Sequence, residues 1–185
     1  MASRARREGS TAGASTRVRF VALGQQRCLL RAGANKDTPL PVKLFEVSDV
    51  VLLCPDRDVG ARNCRRLVAV YCDRTSGFEV VHGLLNRLME VLRVPFVGDD
   101  DPEARRQQQR YGGGYEWRPD AGATFFPGRH AAVFAKGQRV GEFGVVHPDV
   151  LAAFDIQYPV SALELDLEPF CFDQMYAPLA THMSD

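Results

Sequence analysis

Arg66-Leu67-Val68-Ala69-Val70-Tyr71-Cys72 is apolar at odd and even positions alike, so neither side of an extended chain here is suited to water. The run predicts a central strand, and the rest of the chain must supply its neighbours. The nearest is Val42–Leu53, rich in β-branched and aromatic residues and stopped by Pro55-Asp56. A polar loop over Asp56–Asn63, with Gly60, joins the two, which predicts an antiparallel pair. Further on, His130–Lys136 and Arg139–Val146 flank Gly137-Gln138. Glycine as the first central residue fits a type II′ hairpin.

Shorter strand pieces are expected at Tyr115–Arg118 and Thr124–Phe126, the second ended by a Pro127-Gly128 turn. Near the C-terminus Ser161, Leu163, Leu165 and Leu167 alternate with Ala162, Glu164, Asp166 and Glu168, which predicts a strand with one dry and one solvated face. Neighbouring acids at that spacing stand about 7 Å apart and do not share an ion without a further element.

Two helices complete the pattern. Ser76-Gly77-Phe78-Glu79 has the form of a capping box, and Val81, Leu84, Leu85, Leu88 and Leu92 follow at helical spacing until Pro95. His82 falls at the edge of that stripe, as a packed or flanking histidine. His147-Pro148-Asp149 places proline at the first position of a second helix, whose positive end favours Asp149. Strands outnumber helices and hairpins dominate, so the fold class is α+β: an antiparallel sheet backed by helices on one face.

The chain has 185 residues, 45% of them apolar and 25% charged, enough to bury a core without disulfide or metal. Lys+Arg and Asp+Glu both number 23, so net charge draws it to neither nucleic acid nor lipid. No apolar run approaches the roughly 18 residues of a membrane span. The five cysteines, Cys28, Cys54, Cys64, Cys72 and Cys171, form no CxxC pair and read as reduced thiols. The histidines, His82, His130, His147 and His182, show no HxxxH spacing and stand near no cysteine pair, so no metal site is expected.

Gly98–Gly114, GDDDPEARRQQQRYGGG, is expected to be an insertion loop in which Asp99, Asp100 and Asp101 are a solvated charge run. Gly112-Gly113-Gly114 lacks the Lys-Ser/Thr that completes a phosphate loop. Residues 1–27 are expected to be a basic arm or an unrelated start. The first nineteen carry Arg4, Arg6, Arg7, Arg17 and Arg19 against Glu8 alone, a pattern shared by organelle transit peptides. Residues 171–185 are expected to be a tail and 28–170 the folded module.

Four segments occur in a fixed order: Leu40–Asp49, Phe78–Leu85 with its Val80-Val81-His82-Gly83 centre, Phe125-Phe126-Pro127-Gly128-Arg129, and Val140–Val150 containing His147-Pro148-Asp149. Together they closely resemble the C-terminal part of the β subunit of phenylalanyl-tRNA synthetases of the eukaryotic and archaeal cytosolic type, from about Cys28 to Phe170. The resemblance implies a core like that of class II aminoacyl-tRNA synthetases. Since the family's β subunit is several times longer, it also implies a core truncated on its N-terminal side. It further implies a cytoplasmic α2β2 ligase that uses ATP and Mg2+ to join phenylalanine to tRNA, with an α subunit as partner.

Within such an assembly this segment is expected to be catalytically inert, with no catalytic, cofactor-binding or metal-binding residue of its own. Class II enzymes clamp ATP phosphates with arginines on a strand and in a late strand-to-helix motif. Here the corresponding strand reads Leu44-Phe45-Glu46, and the late strand Leu163–Glu168 is acidic. The alternative is a stand-alone RNA-associated or regulatory module, with Arg65, Arg66, Arg105, Arg106 and Arg110 as phosphate contacts.

Overall fold

A computed structural model of the chain describes residues 39–55, 58–97 and 113–171, together with Pro102, Arg106 and Gln109. The elements run β1 (Val42–Leu53), β2 (Ala61–Cys72), α1 (Phe78–Val91), β3 (Tyr115–Pro119), β4 (Phe125–Ala135), β5 (Gln138–Val146), α2 (Pro148–Ala153), β6 (Val160–Asp166) and α3 (Glu168–Cys171). The described strands form one six-stranded sheet in the order β1-β2-β6-β5-β4-β3, antiparallel at every pairing. The fold is therefore α+β. β1 and β2 pair as expected, with Val42 opposite Cys72 and Leu53 opposite Ala61. β2 starts inside the stretch read as a polar loop.

The last strand, β6, enters between β2 and β5 and joins the two halves of the sheet. This overturns the expected solvated face of Glu164 and Asp166. A strand with neighbours on both edges is shielded along most of its length: Glu164 is only 4% exposed, and Asp166 at the strand end is half-buried.

Both sides of the sheet are covered, not one, because the central strands are apolar on both. On one side Leu67 and Ala69 of β2, Leu163 and Leu165 of β6, and Phe143 of β5 pack against Val81, Leu85 and Met89 of α1. On the other, Val68, Val70, Cys72, Val160 and Ala162 pack with Val150 and Leu151 of α2. In α1 the buried line is Val81-Leu85-Met89, while Leu84 of the expected stripe is exposed.

Three local expectations are corrected. The Ser76–Glu79 capping box does not form: Gly77 is the N-cap without a side-chain cap, and its N–H donates to Ser161 Oγ at 3.1 Å. Docking onto the sheet sets this helix start, since a Cβ at Gly77 would lie 2.1 Å from the Tyr71 ring. The β4–β5 turn is centred on Lys136-Gly137, one residue earlier than expected, and both have positive φ (49° and 77°), which makes it type I′. Pro127-Gly128 does not end a strand. It lies in a bulge within β4, where the register shifts between Phe125 and His130.

The second helix begins as expected. Pro148 is in the first turn, Asp149 is the first-turn acid, and the His147 Nδ1 accepts from the Asp149 N–H at 3.2 Å. Phe126 of the bulge stacks over His147 at 6.2 Å, so two of the four ordered segments meet in space.

Most of the expected insertion at 98–114 lies outside the described residues; Pro102, Arg106 and Gln109 are helical and exposed. Its base is closed. The Val97 N–H donates to the Tyr115 carbonyl at 2.8 Å, and the Tyr115 N–H to the Pro95 carbonyl at 2.8 Å. The expected arm at 1–27 and the tail beyond Cys171 lie outside the described residues.

Candidate functional site

The α2 side of the sheet changes character along its strands. Toward α2 it is apolar, and toward the far end β2, β6, β5 and β4 contribute Cys64, Arg66, Glu164, Asp166, Glu142 and His130. In register, Glu142 stands opposite Glu164 and Arg66 opposite Asp166. Two carboxylates facing each other repel, so each needs its own cation. Arg66 Nη1 donates to Glu164 Oε1 at 2.6 Å. Arg139 donates to Glu142 through one nitrogen and to Asp120 Oδ2 through the other at 2.9 Å.

Arg66, Arg139, Gly141, Glu142, Glu164 and Asp166 line a cleft of about 360 Å³. Burial pushes the Glu164 carboxyl above its ordinary range, and Arg66 offsets this only in part. Burial also acts to raise Glu142, but His130 and Arg139 outweigh it and hold that carboxyl below its ordinary range. Burial and then the Asp166 carboxylate push the Cys64 thiol up, which disfavours a nucleophilic thiolate. Cys64 Sγ donates to Asp166 Oδ1 at 3.2 Å.

A cleft whose two arginines are already paired to acids is a poor receptor for phosphate, because ATP would have to compete with three carboxylates for them. Of the arginines considered as phosphate contacts, Arg65 bonds Asp49 at 2.8 Å and Arg66 is held by Glu164. Arg106 is exposed, and Arg105 and Arg110 lie outside the described residues. Phe45 of the Leu44-Phe45-Glu46 strand is on edge strand β1, away from the cleft and 78% exposed. His82 is packed: its ring stacks on Phe143 at 5.4 Å and meets Trp117 edge-on at 5.4 Å.

Sequence reasoning missed the cleft because its members come from three strands. The only local signal was the alternation of Glu164 and Asp166, which fits a solvated strand equally well.

A second surface lies on the opposite side. Phe45 and Val47 of β1, Leu67 and Ala69 of β2, and Val80, Leu84 and Leu88 of α1 line an apolar groove of about 570 Å³. Along β1, Val51 and Leu53 extend this exposed apolar row, Leu53 being 92% exposed. β1 is an edge strand, so the groove lies beside an unpaired strand edge. Among the described residues no helix is long and apolar enough to cross a membrane.

The fold and its surfaces define an antiparallel α+β module with a polar cleft whose two arginines are paired to acids and an apolar groove beside an edge strand. Residues 26–167 match the family described as phenylalanyl tRNA synthetase beta chain CLM domain, and the chain belongs to that family. It is similar to the phenylalanine–tRNA ligase β subunit of Mus musculus, 48% identical over 137 residues, which is 74% of this chain and 21% of that protein. The corresponding Homo sapiens β subunit is 47% identical over 137 residues, with the same shares of both chains. The Arabidopsis thaliana relative, named as the cytoplasmic β subunit, is 45% identical over 140 residues, covering 76% of this chain and 23% of that protein. The chain spans about a fifth of the length of the curated relatives it matches.

Proposed function

We propose that the chain is the C-terminal part of a phenylalanine-tRNA ligase β subunit, acting as a structural partner of the catalytic α subunit. The observation that carries this is the family match over residues 26–167, at close to half identity with animal and plant β subunits. Residues 28–170 form the module, with a core of class II synthetase type, and the antiparallel sheet with flanking helices supports that reading. The ligase charges tRNA with phenylalanine using ATP and Mg2+ in a cytoplasmic α2β2 assembly, and that chemistry is carried out on α. Engagement of Arg66 and Arg139 by carboxylates supports a catalytically inert module with no phosphate clamp of its own.

The groove between β1 and α1 is where α would seat. Obligate interfaces are large and apolar, and an exposed row of Phe45, Val47, Val51 and Leu53 beside an unpaired edge has that composition. Co-expression of the full chain with the α subunit tests the reading. The expected result is co-purification that weakens in Phe45→Asp/Val47→Asp, and phenylalanine-dependent pyrophosphate exchange that the chain alone lacks. A monodisperse monomer that fails to co-purify with α, or exchange by the chain alone that a substitution within it abolishes, would overturn it.

A further inference from the structure

We propose that Asp120, His130 and Glu142 form a binding site for a zinc-class divalent cation, in which the guanidinium of Arg139 is the resident stand-in. The proposal does not rest on the reading of the chain as part of a ligase. The three residues come from separate elements: Asp120 follows β3, His130 is in β4 and Glu142 is in β5. One donor atom from each lies within 4.8 Å of the other two. Two donors on one zinc ion, each about 2.0–2.2 Å from it, stand at most about 4 Å apart, so small side-chain rotations close the set.

The positions are held by the backbone. The Asp120 N–H donates to the His130 carbonyl at 3.1 Å, which ties the loop after β3 to β4. Phe125 stacks on the His130 ring at 4.4 Å and fixes its plane. The His130 side chain is only 3% exposed, and its Nε2 faces Glu142 Oε2 across a long 3.3 Å contact. Its Nδ1 is buried without a partner among the described residues. Nε2 is the nitrogen turned toward the carboxylates, and it has only the long contact to Glu142, so a metal bond there would be a shorter and stronger one.

The same place already attracts a cation. Arg139 bridges Asp120 and Glu142, so the two carboxylates converge on one positive group and leave a net negative charge beside His130. Arg139 is 48% exposed and can withdraw into water, whereas His130 cannot. One imidazole with two carboxylates favours zinc and related transition ions over magnesium or calcium, which prefer all-oxygen shells. A bound ion would tie the loop after β3 to β4 and β5.

Cobalt(II) is the probe, titrated into the full metal-free chain and followed by visible absorption, with zinc as competitor. The expected result is one cobalt ion per chain, displaced by zinc, without the charge-transfer band of a thiolate ligand. His130→Asn should weaken binding by about tenfold or more, and Arg139→Gln should tighten it by removing the competing cation. Circular dichroism checks that each variant folds, and Glu142→Gln gives the same readout if His130→Asn does not. The site is refuted by any of three results: no cobalt binding by the wild type and Arg139→Gln, equal affinity in wild type and the variants, or a thiolate band.

Discussion

Arg66 and Glu164, 98 positions apart in sequence, meet across β2 and β6 with Nη1 and Oε1 at 2.6 Å. Both are largely shielded from water, so the pair ties the last strand to the first hairpin through two charges that need each other. Removing Arg66 leaves the Glu164 carboxylate buried without its closest cation, which costs about 3–5 kcal/mol, whereas replacing both by apolar residues of similar volume is often near neutral. Arg66→Met should therefore destabilise the chain far more than the double variant Arg66→Met/Glu164→Leu. Urea denaturation of the four species of the cycle measures this, and single losses that simply add in the double variant would mean that the pair is not coupled.

Glu142 gives the chain a pH dependence of known sign. His130 and Arg139 hold its carboxyl below the ordinary value of 4.5 despite burial. A depressed carboxyl contributes stability that is present above the ordinary value and lost as pH falls through the depressed one. Glu142→Gln should be less stable than wild type at neutral pH, with the gap closing toward acid. Denaturation midpoints of both proteins across pH 3–7 (roughly the span in which such groups titrate) check it. A gap that stays constant or widens in acid would contradict it.

Phe143 is fully buried in β5, with Phe78 at 5.2 Å, His82 at 5.4 Å and Trp117 at 6.3 Å. Phe143→Ala should cost about 3–5 kcal/mol through the cavity it leaves. Trp117 is the single tryptophan, so its fluorescence should also change in the folded variant. An effect below about 1 kcal/mol would show that the aromatic cluster is not part of the stabilising core.

Two left-handed positions should respond in opposite directions. Arg93 ends α1 at φ 58°, with Val94 N–H donating to the Met89 carbonyl and Arg93 N–H to Glu90, the Schellman pattern that favours glycine. Arg93→Gly should stabilise by up to about 1 kcal/mol, and Gly137→Ala, at φ 77° in open space, should destabilise by about 1–2 kcal/mol. Thermal melts of the two variants settle the signs.

The excursion between Val97 and Tyr115 starts and ends on adjacent, hydrogen-bonded residues. Replacing 99–112 by a short Gly-Ser linker should leave the thermal midpoint within a few degrees of wild type, because the closure at its base does not depend on what lies between. A large fall in the midpoint would mean that the excursion packs on the domain.

Local signals in the sequence carried the elements whose boundaries depend on neighbouring residues. Val42–Leu53 was legible from β-branched content and its proline stop, α2 from His147-Pro148-Asp149, and the pairing of β1 with β2 from the short connection between them. The family was legible too, because its four segments keep their order and spacing. Alternation showed where β6 lies and which side holds its leucines, but not that the other side is buried too. That depends on which strands flank it, and these are decided by insertion between β2 and β5, far away in sequence. The capping box failed for the same reason: Ser76 and Glu79 have the right spacing, but Gly77 docking against Tyr71 and Ser161 chooses another start for α1. The polar cleft and the Asp120–His130–Glu142 cluster had no local signature, since charges that repel along a strand are matched only across strands. Composition and periodicity thus determined which segments are strands and helices. Only tertiary packing decided which charges meet, because a buried charge is tolerated only where a distant part of the chain brings its counter-charge.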